Sequence, residues 1–169
     1  MILWTMLQDR LSRPEYVHVL INPLPIYGLA VAMLALISGL VARNRVALVA
    51  ALVLVLLTSL SAWPTYLYGE AAYDRIKAIS DTAGERWVDE HMARGERFIA
   101  VFYFLASMAF IAVVAPVKWP RCLIPLSIAT LIVAMATLAI GAWIAYPGGR
   151  VRHKEFRFEP PPAARQPEN

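Results

Sequence analysis

The sequence predicts an all-α membrane protein: four transmembrane helices in an up-down-up-down bundle, with an amphipathic helical segment between spans two and three. Three observations carry this. Hydrophobic residues make up 59% of the 169-residue chain and charged residues only 17%, against about 45–50% and about 25% in an average soluble domain. Residues 23–42, 46–68, 98–117 and 122–146 contain no Asp, Glu, Lys, Arg or His, and each meets the roughly 20 residues that cross about 30 Å of hydrocarbon. The connections alternate short, long, short, and short ones force antiparallel neighbours.

Composition also limits the function classes. The net charge of +4 is spread over connecting segments and not gathered on one face, which argues against nucleic acid as a partner. The partner that composition does imply is the lipid bilayer. The first apolar window lies behind Gln8, Asp9, Arg10, Arg13 and Glu15, and no small-residue cleavage pattern follows it, so it reads as a span and not a cleavable signal. The chain divides into a polar amphiphilic segment 1–22, the four-span domain 23–146, and a basic then Pro-rich tail 147–169.

Taken in order, span one (23–42) is followed by Arg43-Asn44-Arg45, then by span two (46–68), rich in Leu and Val. Aromatic residues mark the ends: Trp63, Tyr66 and Tyr68, then Trp119, then Trp143 and Tyr146. Such rings favour the headgroup level, being apolar at one end and polar at the other. In the connection 69–97, Tyr73, Ile76, Ile79, Ala83 and Trp87 recur at helical spacing. Thr82 with Glu85 fits a capping box, which predicts two pieces, about 70–80 and about 82–97, the second running into span three. This segment is expected to rest its apolar side on the bilayer or the bundle mouth. Span three (98–117) and span four (122–146) are joined by Lys118-Trp119-Pro120-Arg121. Pro64 and Pro125 are candidate kinks. From Glu159 onward four prolines fall in eleven residues, which predicts a tail without regular structure.

Four spans put both termini on one face, called face A here, and the two short loops on face B. Lys and Arg counts favour a cytoplasmic face A, whereas both face B loops are short and purely basic. These two patterns point opposite ways.

The membrane interior has no ionisable side chain, which makes charge-coupled transport a poor fit. Its polar atoms are hydroxyls, such as Ser59, Thr65, Ser107, Ser127 and Thr130, which a helix can satisfy with its own carbonyls. Phosphate-loop, GxSxG, HExxH and CxxC motifs are all missing, and the single cysteine, Cys122, reads as packing. The reading is therefore of a protein that is not a stand-alone enzyme.

One constellation with chemistry comes from topology. His18 lies before span one, His91 before span three and His153 after span four, so all three fall on face A. His91 is four residues past Trp87, on the apolar side of its helix. His153 follows Gly148-Gly149, a turn that would fold the chain back over the bundle mouth. Imidazole ligates haem iron, copper and zinc, and four-helix bundles hold cofactors between facing helices. Spans one and three are diagonal in such a bundle, so His18 and His91 can clamp a haem b between them. His153 is the candidate ligand for a metal ion, and Met92 an alternative ligand beside His91. The plainer reading is that the imidazoles bond headgroups or carboxylates such as Glu90.

At these residues the chain resembles a bacterial four-span membrane family catalogued as a domain of unknown function, some members of which are fused to Rieske-type iron–sulphur domains. The family's opening motif runs roughly His-Pro-x-x-x-His-Phe-Pro-Ile. Here it is similar to His18-Val19-Leu20-Ile21-Asn22-Pro23-Leu24-Pro25-Ile26, with Pro23 where the family has its second histidine. Trp63, Tyr68 and Gly69 after span two, His91 before span three, and Gly148-Gly149 after span four complete the likeness, which covers about residues 16–155. The resemblance implies a redox-associated, haem-binding module of the bacterial inner membrane, serving a redox partner. The missing second histidine leaves His18 and His91 as its ligands. The alternative is an accessory or structural subunit of a membrane complex, without a cofactor, that docks a partner through 69–97.

Overall fold

The computed structural model describes residues 2–164, and among them every regular element is helical. Four continuous stretches, Pro14–Ala42, Arg45–Ala78, Thr82–Lys118 and Pro120–Arg152, are long and apolar enough to cross a membrane. On face B their ends fall within two residues of the charge-free windows. On face A all four run beyond those windows, by about two to four turns at 3.6 residues per turn. A charge stops a helix from lying in hydrocarbon but not from being a helix. Beyond the bilayer core, charged side chains turn outward while the apolar ones pack inward.

The helices are α1 (Ile2–Leu11), α2 (Pro14–Ile21), α3 (Leu29–Ala42), α4 (Arg45–Leu60), α5 (Ala62–Ala78), α6 (Thr82–Phe98), α7 (Ala100–Lys118) and α8 (Leu123–Arg152). Helix α3 packs on α4, α4 on α7, α7 on α8 and α8 on α3, so spans one and three are diagonal, as expected. The core along this ring is formed by Leu29, Leu36, Leu52, Val55 and Leu105, all fully buried. Ala51, Ala109, Ala112 and Ala134 lie among them and let the helices approach closely.

Proline decides several boundaries. Pro14 has no N–H and holds Arg13 extended, which separates α1 from α2. Pro23 and Pro25 lie within the first span, and the helix passes them by widening into a π turn over Leu24–Gly28. Pro64 withholds the N–H that Leu60 would accept, and the interruption at Ser61 follows. Pro125, by contrast, sits in the first turn of α8, where a missing N–H breaks no bond, so the kink expected there is not needed.

The connection 69–97 is two helical pieces, the first continuing span two and the second running into span three as expected. The cap of α6 is Asp81, one residue before the expected Thr82: its carboxylate accepts the Gly84 N–H at 2.7 Å. Trp87 and Val88 are buried against Val151, with Tyr73 and Ile76 beside them. The apolar side of the segment thus closes the mouth of the bundle.

Span four contradicts the turn expected at Gly148-Gly149. Helix α8 runs through both glycines to Arg152, and the chain reverses only at His153. A 3₁₀ turn at Lys154–Phe156 leads it back across the mouth. Arg157 then donates to both Asp81 oxygens at 3.0 Å, Lys154 stands 3.0 Å from the same carboxylate, and the Tyr146 hydroxyl bonds Glu159. The Arg157 and Lys154 side chains, with the Gly84 N–H, hold the Asp81 carboxyl well below the usual carboxylate range. Residues from Pro160 to Ala164 form no regular element, and the rest of the Pro-rich tail lies outside the described residues.

Candidate haem or metal site

Within the face A half of the bundle lies a cavity of about 280 Å³ to which all four spans contribute. Its deep end is apolar, formed by residues such as Ile26, Phe102 and Ile144. His18 and His91 both line it, from opposite corners of the bundle. Their ring centres are 6.2 Å apart, with the planes inclined at 73°. The sequence places these two imidazoles on one face of the membrane; the fold brings them together.

Each ring is held by the same device. His18 Nδ1 is 2.8 Å from the Thr65 carbonyl oxygen on span two, and Gly69 lies four residues further along that helix. His91 Nδ1 is 2.8 Å from the Ile144 carbonyl oxygen on span four, and Gly148 lies four residues further along. Residues four apart share a helix face, so carbonyl and glycine meet the same ring. The fit is close: a β-carbon on Gly69 would come within 2.9 Å of His18 Nδ1 and Cε1, and one on Gly148 within 3.1 Å of His91 Cε1. Spans one and two therefore repeat in spans three and four, giving a two-fold arrangement of imidazole, carbonyl and glycine around the cavity.

The carbonyls also set the tautomer. A carbonyl oxygen only accepts, so Nδ1–H is the donor in both rings. A neutral imidazole with its proton on Nδ1 has a free lone pair on Nε2. This is the state in which histidine binds a metal, with the second nitrogen anchored to a backbone carbonyl. The spacing agrees: with metal–imidazole bonds of about 2.0–2.1 Å, two rings on opposite sides of one ion have centres roughly 6 Å apart. Two imidazoles pinned at that separation across an apolar cavity are candidate ligands for one metal ion or haem.

The other sequence candidates lie elsewhere or play other parts. His153 is exposed at the reversal after α8, with Nδ1 2.8 Å from Glu155 Oε1 and its ring against Phe156. It does not line the cavity. Met92 does line it, beside His91. Glu90, the carboxylate expected to receive a histidine, is bonded instead by Arg94 Nε at 2.7 Å. Among the described residues no group of three or more His, Cys, Asp or Glu could hold a metal ion.

The hydroxyls behave as expected in part. Ser38, Thr58, Ser61, Thr65 and Ser107 bond carbonyls of their own helices. Ser59, Ser127 and Thr130 are buried without a hydrogen-bond partner. The carbonyls and glycines that seat the histidines escaped the sequence reading. Their signal was present, since a glycine inside an apolar helical run usually has a packing reason. Comparison of the chain with family models, with curated proteins and with solved structures finds no match.

Proposed function

We propose that this protein is a small membrane electron carrier that binds haem b between His18 and His91. The observation that carries the reading is the pair of imidazoles on diagonal spans, each with Nδ1–H committed to a backbone carbonyl, 6.2 Å apart across an apolar cavity. Haem bound there would supply one-electron oxidation and reduction at the iron. The chain's own residues do the rest. His18 and His91 would hold the group through Nε2, and the Thr65 and Ile144 carbonyls fix the orientation of both rings and raise the basicity of that nitrogen. The apolar deep wall would exclude water from a bound group, and such burial is one of the levers on reduction potential. Trp87 and Val88 close the mouth towards face A, where a redox partner would approach.

The test is the visible spectrum of detergent-purified protein from haem-replete cells, reduced minus oxidised. A low-spin spectrum is expected, lost or converted to high spin in both His18→Ala and His91→Ala and retained in His153→Ala. A colourless protein, or a spectrum that survives both substitutions, would overturn the assignment. The accessory-subunit reading would then stand in its place.

A further inference from the structure

We infer that Arg152 is the anchor for a carboxylate of the cavity's ligand, so that the haem lies with its propionate edge towards face A; this rests on the haem reading above. The cavity is graded along its depth. Ile26 and Phe102 form its inner end, while Glu15 and Arg152 stand at the outer ends of spans one and four. These are the only carboxylate and the only cation among its lining residues. They are not equivalent. Glu15 Oε1 is already paired with Arg75 Nε at 3.1 Å and its side chain is 19% exposed. Arg152 has no ion pair or hydrogen bond to any described residue.

Among the described residues lining the cavity, the exposed Arg152 is thus the one cation without an ionic partner, above an apolar chamber. A ligand that matches it has an apolar body and an acidic edge. Haem has this shape, with two propionates on one side of a hydrophobic macrocycle. An arginine fork suits a carboxylate better than an ammonium does, because it can donate two parallel N–H bonds. Arg152 lies four residues past Gly148 on α8, so it projects from the helix face against which the His91 ring of α6 rests.

The experiment compares haem with its dimethyl ester, which keeps the macrocycle and iron but has no carboxylate. Protein prepared without haem is titrated with each compound and followed by Soret absorbance. Wild type is expected to take up both. Arg152→Gln should weaken haem binding roughly ten-fold, the scale of one charge-assisted bond, and leave the ester unchanged. Arg152→Lys should recover part of the loss. Equal effects on the two compounds, or no effect on either, would overturn the role of Arg152 while leaving the histidine ligation intact. Failure of wild type to bind either compound would overturn the haem reading and this inference with it.

Discussion

Gly148 and His91 are in such close contact that a β-carbon on the glycine would lie 3.1 Å from Cε1 and 3.2 Å from Nδ1 of the ring. A β-carbon on Gly69 would lie closer still to His18, at 2.9 Å from the same two ring atoms. Alanine at Gly69 must displace the His18 ring, and alanine at Gly148 makes the His91 ring give by a few tenths of an ångström, so both strain the bond to the carbonyl. Two effects on stability then oppose each other: losing the hydrogen bond costs about 0.5–1.5 kcal/mol, and replacing a helical glycine by alanine contributes about 0.8–1.0 kcal/mol. Gly69→Ala and Gly148→Ala should therefore melt within about 1 kcal/mol of wild type yet bind haem at least ten-fold more weakly, roughly the loss of one oriented ligand. Soret titration beside a thermal melt separates the two effects. A variant that binds normally would show that the glycines do not set the rings.

Trp87 offers a test of how the mouth is closed. It is 3% exposed, Arg150 lies over its ring at 5.4 Å, and its indole N–H is buried without a partner. The ring's contribution is then area and not hydrogen bonding. Trp87→Phe keeps most of that area and removes a donor that is costly to bury unpaired, so its melting temperature should equal or exceed that of wild type. Trp87→Ala should cost about 3–5 kcal/mol. If Phe were as damaging as Ala, the indole N–H would have a partner, such as a buried water.

The bundle was legible because absence of charge over 20 or more residues is a strong and local signal, and because short loops fix the neighbours of each span. The diagonal placement of His18 and His91 followed from that topology alone. Their seats did not. The Thr65 and Ile144 carbonyls are backbone groups with no sequence signature, and the contacts cross from one span to the next. Gly148-Gly149 was misread because glycine pairs mark turns more often than close approaches, and only the His91 ring opposite distinguishes the two. The full helix lengths on face A were not legible for a related reason. Absence of charge marks the hydrocarbon zone and not the helix end, and Glu15, Arg75 and Asp89 ride on helices that continue past it.

Asp81 ties three parts of the mouth together, as cap of α6 and as partner of Arg157 and Lys154. Because its folded pKa is depressed, the stabilisation it provides is present above the ordinary aspartate pKa and is lost as pH falls through the lower folded value. The fold-back of residues 154–159 should hold throughout neutral and mildly acidic pH and loosen only in strong acid. A spin label on a cysteine introduced at Ala164, in a chain with Cys122 replaced by Ser, reports this directly. Its mobility should stay low down to about pH 4, the ordinary aspartate range, and rise below it. Asp81→Asn should show high mobility at every pH. A mobility change that persists unaltered in Asp81→Asn would show that Asp81 does not hold the fold-back.

The membrane topology has its own test, independent of any cofactor. Cys122 is half-buried in the turn between spans three and four, and Ala164 is exposed after the chain has crossed once more. With four spans, face B carries Arg43-Asn44 and Trp119-Pro120, and face A carries both ends. An impermeant maleimide should therefore label Cys122 and a cysteine at Ala164 from opposite sides of sealed vesicles. Because Cys122 is only partly accessible, a second thiol at Trp119, which is 60% exposed, provides the same readout without that obstacle. The positions 119 and 122 should agree with each other and disagree with 164. Labelling of 119 and 164 from one side would mean that one of the helices does not cross. Span four would be the first suspect, since it alone separates the two sites.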